Sequence, residues 1–248
     1  MRAAFAGQDP FDLRFAHGPA ELEAVADGVA AIVVVDVLRF STCVSVAVAR
    51  GGQVLPYRWR DEGAAAFAEA QGAELAGDRE DGGWSLSPTD LQGLPRGARV
   101  VLPSPNGADL SLRAARACET VIAGCLRNAY AVGTALARLA SAGPIAVVAA
   151  GEQGSWAVED LLGAGAILHA AETAGSFGRF DASPEARAAI GAFRAADDLE
   201  WSLRSSTSGR ELIARGWGDD VAVAAALNVD DVVPALADGA YSAPNAPL

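Results

Sequence analysis

The sequence contains no lysine, because all 19 of its basic residues are arginines. Schiff-base chemistry through a lysine amine is therefore excluded. A phosphate-binding P-loop, which requires a lysine, is excluded for the same reason. Any anion that this protein binds must be held by arginine side chains, by backbone amides or by a metal ion.

Cysteine and histidine are scarce as well. The three cysteines, Cys43, Cys118 and Cys125, form no CxxC pair, which argues against a zinc or redox motif. We interpret them as buried, reduced thiols. Of the two histidines, His169 lies on the apolar face of a predicted helix, where packing is a better explanation than metal ligation.

Long apolar stretches and excess positive charge are also missing. No apolar run of membrane-spanning length is free of charge, and the first residues lack the apolar core of a signal peptide. We therefore expect a cytoplasmic protein. The net charge of -12 argues against nucleic acid or a membrane as a partner. The oligomeric state is left open, and a homodimer is one arrangement compatible with the sequence.

Predicted strands and helices alternate along the chain, which indicates the α/β class with a largely parallel or mixed sheet. We expect a single domain over residues 1–248, with a division into about 1–125 and 126–248 as the alternative. Residues 32–52 and 145–165 share one pattern, an apolar strand, a polar corner and a small-residue helix. This similarity indicates either an ancient duplication into two βα-type halves or simply two ordinary βα units.

A polar corner follows the most apolar predicted strand, residues 32–35. It contains Asp36, Arg39, Ser41 and Thr42, and we expect Ser41 or Thr42 to cap the next helix. In open α/β sheets, ligands bind beyond the carboxyl ends of the strands. Here a carboxylate could bind a cation, while a guanidinium and a helix N-terminus could bind an anion.

A second polar corner follows the predicted strand at 145–149. Glu159 and Asp160 lie in the first turn of the next helix, and Glu152 precedes them. Acidic residues in a first turn also suit the helix dipole, so a structural role is the alternative. Together with Asp36 they form an oxygen-only ligand set, and carboxylates without histidine or cysteine select a hard ion such as Mg²⁺ or Mn²⁺.

Three further segments are candidates for substrate contacts. Asn106 and Gly107 form a turn after the predicted strand at 99–102, where they could bind a substrate oxygen or simply turn the chain. The polar, glycine-rich loop at 77–90 is of a length that is usually functional or disordered. Finally, the segment 204–210 places four hydroxyls between two arginines. A capping box of Ser208 and Glu211 would explain one hydroxyl, and the others indicate an anion pocket formed by Arg204, Ser205, Ser206 and Arg210.

Taken together, these segments resemble the 2-phosphosulfolactate phosphatase family. The resemblance runs from about residue 33 to residue 236 and rests on the order of its motifs. They are Asp36-Val37-Leu38-Arg39 with Ser41-Thr42, Asn106-Gly107, the segment Gly154 to Ala166 with Glu159-Asp160, Ser205-Ser206 with Gly209-Arg210, and Asp230 to Pro234.

The resemblance implies a three-layer α/β/α fold and Mg²⁺-dependent hydrolysis of a phosphate ester, which releases sulfolactate and phosphate on a route to coenzyme M. It implies a metal site of Asp36, Glu159, Asp160 and Glu152. It implies catalytic roles for Asp36, Arg39, Arg204 and Arg210, and substrate contacts from Ser41, Thr42, Asn106, Gly107, Ser205 and Ser206.

The partner expected from these residues is a small anionic phosphorylated substrate. Whether an activated water or Asp36 itself attacks the phosphorus stays open at this point. The alternatives are a phosphatase of another small phosphorylated acid and a non-catalytic protein that binds an anion or metabolite in the same pocket.

Overall fold

The computed structural model describes residues 7–152, 154–174 and 181–244 of the chain. The sequence predicts a loop at 176–184, and most of that segment lies outside the described residues. The strands are β1 (Leu13–His17), β2 (Ala31–Val35), β3 (Gln53–Tyr57), β4 (Glu74–Leu75), β5 (Arg99–Pro103), β6 (Val121–Gly124), β7 (Ile145–Ala149), β8 (Ala235–Ala237) and β9 (Ala240–Ser242). The helices are α1 (Gly18–Val25), α2 (Phe40–Ala49), α3 (Glu62–Ala70), α4 (Pro88–Leu91), α5 (Gly107–Ala117), α6 (Ala129–Leu139), α7 (Val158–Ala174), α8 (Pro184–Ala195), α9 (Leu199–Ser205), α10 (Thr207–Ala214) and α11 (Gly218–Ala225), with a 3₁₀ turn at Arg79–Asp81.

Within the described residues the strands form one sheet in the order β1-β7-β2-β6-β8-β9-β3-β5-β4. The strands β1, β7, β2 and β6 pair in parallel, and so do β3, β5 and β4. The β8–β9 hairpin lies between these two groups and is antiparallel to its neighbour in each. The predicted class, α/β with a largely parallel or mixed sheet, is confirmed.

Helices cover both faces of the sheet, because successive side chains of a buried strand point to opposite sides. In β2, Ile32 and Val34 belong to an apolar cluster with residues of α1, α2 and α5. Val33 and Val35 belong to a second cluster, with residues of α6, α7 and α8. All four valine and isoleucine side chains are fully buried. The arrangement is the three-layer α/β/α fold that the family resemblance implies.

Strands β2 and β7 are neighbours in the sheet although they are far apart in sequence. Val35 pairs with Ala149, so the chain leaves both strands at the same level. Helix α2 then packs on one face of the sheet, whereas α7 packs on the other. In open α/β sheets a ligand-binding crevice forms where neighbouring strands send their helices to opposite faces. The two polar corners predicted from the sequence therefore meet at such a crevice.

Most elements lie where the apolar patterns predict them. The apolar pattern predicts a strand at 99–102 and a helix at 108–118, which correspond to β5 and α5. The sequence also predicts Asp61 as the N-cap of a helix that runs to residue 71, and its carboxylate accepts a hydrogen bond from the Gly63 amide at 3.0 Å. A closing strand is predicted within 229–236, but β8 begins only at Ala235.

The predicted cap of α2 is wrong. The N-cap residue is Arg39, which makes no capping hydrogen bond through its side chain. Ser41 and Thr42 lie one and two residues inside the helix and are fully buried. Their hydroxyls bond elsewhere, and the carboxylate of Asp36 accepts a hydrogen bond from the first amide of the helix, that of Phe40.

The cysteines and His169 occupy packed positions, as the sequence predicts. Cys43 and Cys125 are buried, Cys118 is half-buried, and all three are free thiols. Burial raises the pKa of each thiol, which disfavours the reactive thiolate. His169 packs against Phe193 with 5.9 Å between ring centroids. Across the described ranges, no helix combines the length and apolar character needed to cross a bilayer.

Candidate active site

The corner after β2 is held by hydrogen bonds within itself. Asp36 is buried, and its Oδ1 accepts a hydrogen bond from the Phe40 amide at 3.0 Å. Ser41 Oγ accepts from the Asp36 amide and donates to a carbonyl of β2, each at 3.0 Å. Thr42 Oγ1 donates to the Val37 carbonyl at 2.7 Å. Both hydroxyls, for which the family resemblance implies substrate contacts, are thus engaged in hydrogen bonds within the corner.

Asp160 joins the two corners. Its Oδ1 accepts a hydrogen bond from the Val37 amide at 2.7 Å, and its Oδ2 accepts one from the Gly151 amide at 2.9 Å. Val37 belongs to the corner after β2 and Gly151 to the corner after β7. The structure therefore gives Asp160 a positioning role, whereas the sequence places it among the metal ligands.

A cluster of carboxylates surrounds this junction. The pKa of Asp36 is raised to about 7, first by burial and then by the nearby charges of Glu152 and Glu159. Burial also raises the pKa of Asp160 well above its ordinary value, and the charges of Asp36 and Glu159 add to that effect. Like charges held together out of water favour the neutral forms or a bound cation.

The turn after β5 completes the corner. Asn106 Nδ2 donates a hydrogen bond to Glu152 Oε2 at 2.8 Å, so this amide orients one of the clustered carboxylates. A Cβ atom on Gly107 would lie 2.6 Å from Asp36 Oδ2 and 2.5 Å from a ring carbon of Phe40. Only glycine allows this close approach of α5 to Asp36. The structure brings the predicted residues Asp36, Asn106, Gly107 and Glu152 together.

A cavity of about 200 Å³ opens at these corners, and we call it the acidic pocket. Glu152 also borders a neighbouring cavity of about 490 Å³, which the buried residue Glu159 lines as well. The charged and aromatic side chains that line the acidic pocket include Asp36, Arg39, Glu152, Glu211, Arg215 and Trp217.

Asp220 anchors the arginine of the first corner, and no local sequence pattern marks it. Its side chain is fully buried in the first turn of α11. Arg39 Nη1 donates to its Oδ2 at 2.6 Å, and Ser87 Oγ donates to its Oδ1 at 2.6 Å. The Arg39 guanidinium also lies 4.9 Å from the centroid of the Trp217 ring. Arg39 is thus fixed from two sides before any ligand binds.

A second cavity, of about 240 Å³, continues from the acidic pocket. Arg39, Arg215 and Trp217 line both cavities, so the two are contiguous. We call the second one the arginine pocket. Its additional arginines are Arg58, Arg60 and Arg79, which the sequence reasoning did not single out although Arg79 lies in the loop predicted to be functional or disordered.

The hydroxyl-rich segment at 204–210 is mainly a helix boundary. Ser206 is the N-cap of α10, where its Oγ accepts from the Gly209 amide at 3.0 Å and donates to the Leu203 carbonyl at 2.9 Å. The predicted capping box of Ser208 and Glu211 is therefore wrong. Those two side chains instead line the acidic pocket.

The two arginines of this segment lie away from the pockets. Arg204 forms an exposed ion pair with Glu200 at 3.6 Å. Arg210 Nε donates to the Ser206 carbonyl at 3.4 Å. Arg204, Ser205 and Arg210 line neither the acidic pocket nor the arginine pocket. The arginines that do line them come from other loops.

The donor set suits a hard divalent ion. In the part of the chain that the structure describes, no cage of three or more histidine, cysteine, aspartate or glutamate side chains that could hold a metal ion is present. Mg²⁺ needs no such cage, because it keeps several waters and usually binds one or two carboxylates together with substrate phosphates. Asp36 and Glu152 both line the acidic pocket and meet that requirement.

A crevice between oppositely crossing βα units, lined by clustered carboxylates and fixed arginines, suits the binding of a small anionic molecule. Comparison with known families is more specific. The family model of 2-phosphosulpholactate phosphatase matches residues 17–239, and the chain belongs to that family. It is therefore a phosphoric monoester hydrolase, as the sequence motifs predict.

Individual relatives support the assignment. A protein of Deinococcus radiodurans named probable 2-phosphosulfolactate phosphatase is 34% identical over 215 residues, which cover 83% of this chain and 87% of the relative. A protein of Carboxydothermus hydrogenoformans with the same name is 32% identical over 82% of this chain and 85% of its own length. The 2-phosphosulfolactate phosphatase of Methanothermobacter thermautotrophicus is 31% identical over 86% and 89% of the two chains.

Proposed function

We propose that this enzyme hydrolyses 2-phosphosulfolactate to sulfolactate and phosphate, with Mg²⁺ as its cofactor. The observation that carries the proposal is the contiguity of the acidic pocket and the arginine pocket. A substrate with a phosphate and further acidic groups requires both a cation site and several guanidinium groups, especially on a protein with a net charge of -12. The names of the relatives support the same substrate.

In this proposal the side chains at the crevice have separate roles in binding the ion and the phosphate. Asp36 and Glu152 would hold the ion, and Mg²⁺ would neutralise charge on the phosphoryl oxygens. Asn106 keeps Glu152 oriented through the bond at 2.8 Å. Arg39 binds the phosphate, because it lines both pockets and its guanidinium is held by Asp220 and Trp217. We further place the enzyme in the cytoplasm, which its free thiols support.

Metal-dependent turnover of the purified protein tests the proposal. After removal of metals, we expect phosphate release from 2-phosphosulfolactate only when Mg²⁺ is added, and chelation should abolish it. The Asp36→Asn variant should lose activity by about a hundredfold or more, because it removes the carboxylate charge next to the ion. Inorganic phosphate is the readout, with 4-nitrophenyl phosphate as a generic comparison substrate.

Glu23→Gln is the matched control, since this exposed carboxylate pairs only loosely with Arg113 at 3.8 Å. Circular dichroism of each variant checks that the fold is intact. Turnover that persists after chelation would remove Mg²⁺ from the mechanism. If no phosphomonoester is hydrolysed under any metal condition, the proposed reaction is wrong and a binding function takes its place.

A further inference from the structure

Apart from Arg39, the arginines that line the arginine pocket have no part in the hydrolysis described above. We propose that this pocket binds the second strongly acidic group of the substrate, a sulfonate, and that Arg79 is the residue that recognises it. This inference rests on the proposed function, because it assigns the part of the substrate that does not react. It makes Arg79 a specificity-determining residue rather than a catalytic one.

Among the arginines that line this pocket but not the acidic pocket, Arg79 has the least exposed guanidinium. Its Nη1 lies 3.2 Å from Asp220 Oδ2, and its Nη2 lies 3.4 Å from Asp90 Oδ1. Asp90 is itself held, because Ser85 Oγ donates to its other oxygen at 2.6 Å. The side chain of Arg79 is 23% exposed, compared with 49% for Arg58 and 42% for Arg60. A guanidinium fixed in this way loses little entropy when it binds an anion.

One carboxylate oxygen binds both Arg39 and Arg79. Asp220 Oδ2 accepts from Arg39 at 2.6 Å and from Arg79 at 3.2 Å. Arg39 lines both pockets, whereas Arg79 lines the arginine pocket alone. The two guanidinium groups are therefore held close to each other by a buried anchor. This arrangement fits a substrate in which a short carbon chain separates two anionic groups.

The remaining arginines retain capacity for an anion. Arg58 pairs with Asp109 at 2.9 Å, and Arg60 pairs with Asp78 and, at 3.5 Å, with Asp81. A guanidinium has five N–H donors, and these carboxylates engage only some of them. A sulfonate stays ionised at all physiological pH values and offers three oxygens, whereas a carboxylate offers two. Several guanidinium groups around one cavity match the acceptor with more oxygens.

Two substrates that differ only in the sulfonate provide the test. We expect the wild-type enzyme to prefer 2-phosphosulfolactate to 2-phospholactate in kcat/KM. The Arg79→Lys variant keeps the positive charge but loses the planar fork. The ratio of the two kcat/KM values should therefore fall by about tenfold or more in this variant, as expected for the loss of a charged hydrogen bond. Arg60→Gln should lower the same ratio to a smaller extent.

Arg187→Lys is the matched control, because Arg187 forms an exposed pair with Asp181 at 3.6 Å and lines neither pocket. An unchanged ratio in Arg79→Lys would overturn the inference. Equal losses on both substrates would also overturn it, since Arg79 would then support the fold or the phosphate site.

Product binding separates this inference from the proposed reaction. We expect wild-type protein to bind sulfolactate more tightly than lactate in calorimetry, and Arg79→Lys to lose most of that difference. This measurement needs no turnover. Selective binding without hydrolysis would keep the sulfonate site and reject the phosphatase proposal, whereas hydrolysis with equal affinity for sulfolactate and lactate would reject the sulfonate site alone.

Discussion

At the scale of single residues, Gly107 shows how closely helix α5 packs against the corner after β2. A methyl group at this position would lie within 2.6 Å of both the Asp36 carboxylate and the Phe40 ring. We expect Gly107→Ala to shift Asp36 and to destabilise the protein by about 1–3 kcal/mol, as overpacked core substitutions do. Phosphatase activity should fall together with stability. Urea unfolding and a kcat measurement check both effects.

Gly191 in α8 provides the control for this prediction. A Cβ atom there would have no heavy-atom neighbour within 4 Å. Gly191→Ala should leave stability unchanged or raise it slightly, because alanine favours the helix over glycine. If Gly107→Ala is as well tolerated as Gly191→Ala, the contact between α5 and Asp36 is looser than the structure shows.

The sequence predicts the location of a residue at the crevice when that residue comes soon after the end of a strand. Asp36 and Asn106 stand at strand ends, so their place at the crevice could be inferred from the chain order alone. Asp220 and Arg79 could not be inferred in this way. They approach each other across 141 residues and lie in a short helix and a loop, where no periodicity marks them.

At the scale of elements, the start of α10 tests whether the hydroxyl-rich segment is a cap or an anion site. Ser206 satisfies the Gly209 amide, whereas Ser205 is exposed. We expect Ser206→Ala to cost about 1 kcal/mol of unfolding free energy, the usual loss for a removed N-cap. Ser205→Ala should cost almost nothing. Chemical denaturation of the two variants compares them directly.

The same pair of variants also tests the substrate contact implied by the family resemblance. A raised KM in Ser205→Ala would show that this segment contacts the substrate. Equal stability of the two variants would show that Ser206 is not the cap that the structure describes.

The start of α2 shows why helix caps are hard to predict in segments that are rich in serine and threonine. Serine and threonine favour helix starts, so Ser41 or Thr42 was a reasonable cap for α2. In the folded protein Asp36 is close enough to accept the amide hydrogen bond, and the two hydroxyls turn back to the strand end. Asp36, Ser41 and Thr42 could each accept a hydrogen bond from an amide at the start of α2. Tertiary packing determines which of them does so, and the local helix-capping preference alone does not distinguish them.

At the scale of the whole molecule, the buried carboxylates make stability depend on pH. The pKa of Asp36 is about 7 in the folded protein and about 3.9 in an unfolded chain. Between these values the folded state binds a proton that the unfolded state does not, so stability rises as the pH falls from about 7 towards 4. Metal-free protein should therefore unfold at a higher temperature at pH 5.5 than at pH 7.5.

Acidification also relieves general repulsion in a protein of net charge -12, so a variant is needed to isolate the cluster. Asp36→Asn should show a smaller change in melting temperature between the two pH values. Added Mg²⁺ should stabilise the wild type more at pH 7.5 than at pH 5.5, because the ion requires ionised ligands. Identical pH profiles for wild type and Asp36→Asn would contradict the assignment of this pKa shift.

The interleaved strand order also has a consequence for biosynthesis. Strand β2 is made early, but its neighbours β7 and β6 follow much later, and the β8–β9 hairpin that joins the two parallel groups is made last of the strands. The amide of Gly151, which Asp160 needs to tie the corners together, does not yet exist when Asp36 leaves the ribosome. The nascent chain must keep its early apolar strands from aggregating until residues beyond 240 are available. A messenger truncated before the hairpin would yield a chain that has Asp36, Glu152, Glu159 and Asp160 but lacks the strands that join the two parallel groups of the sheet.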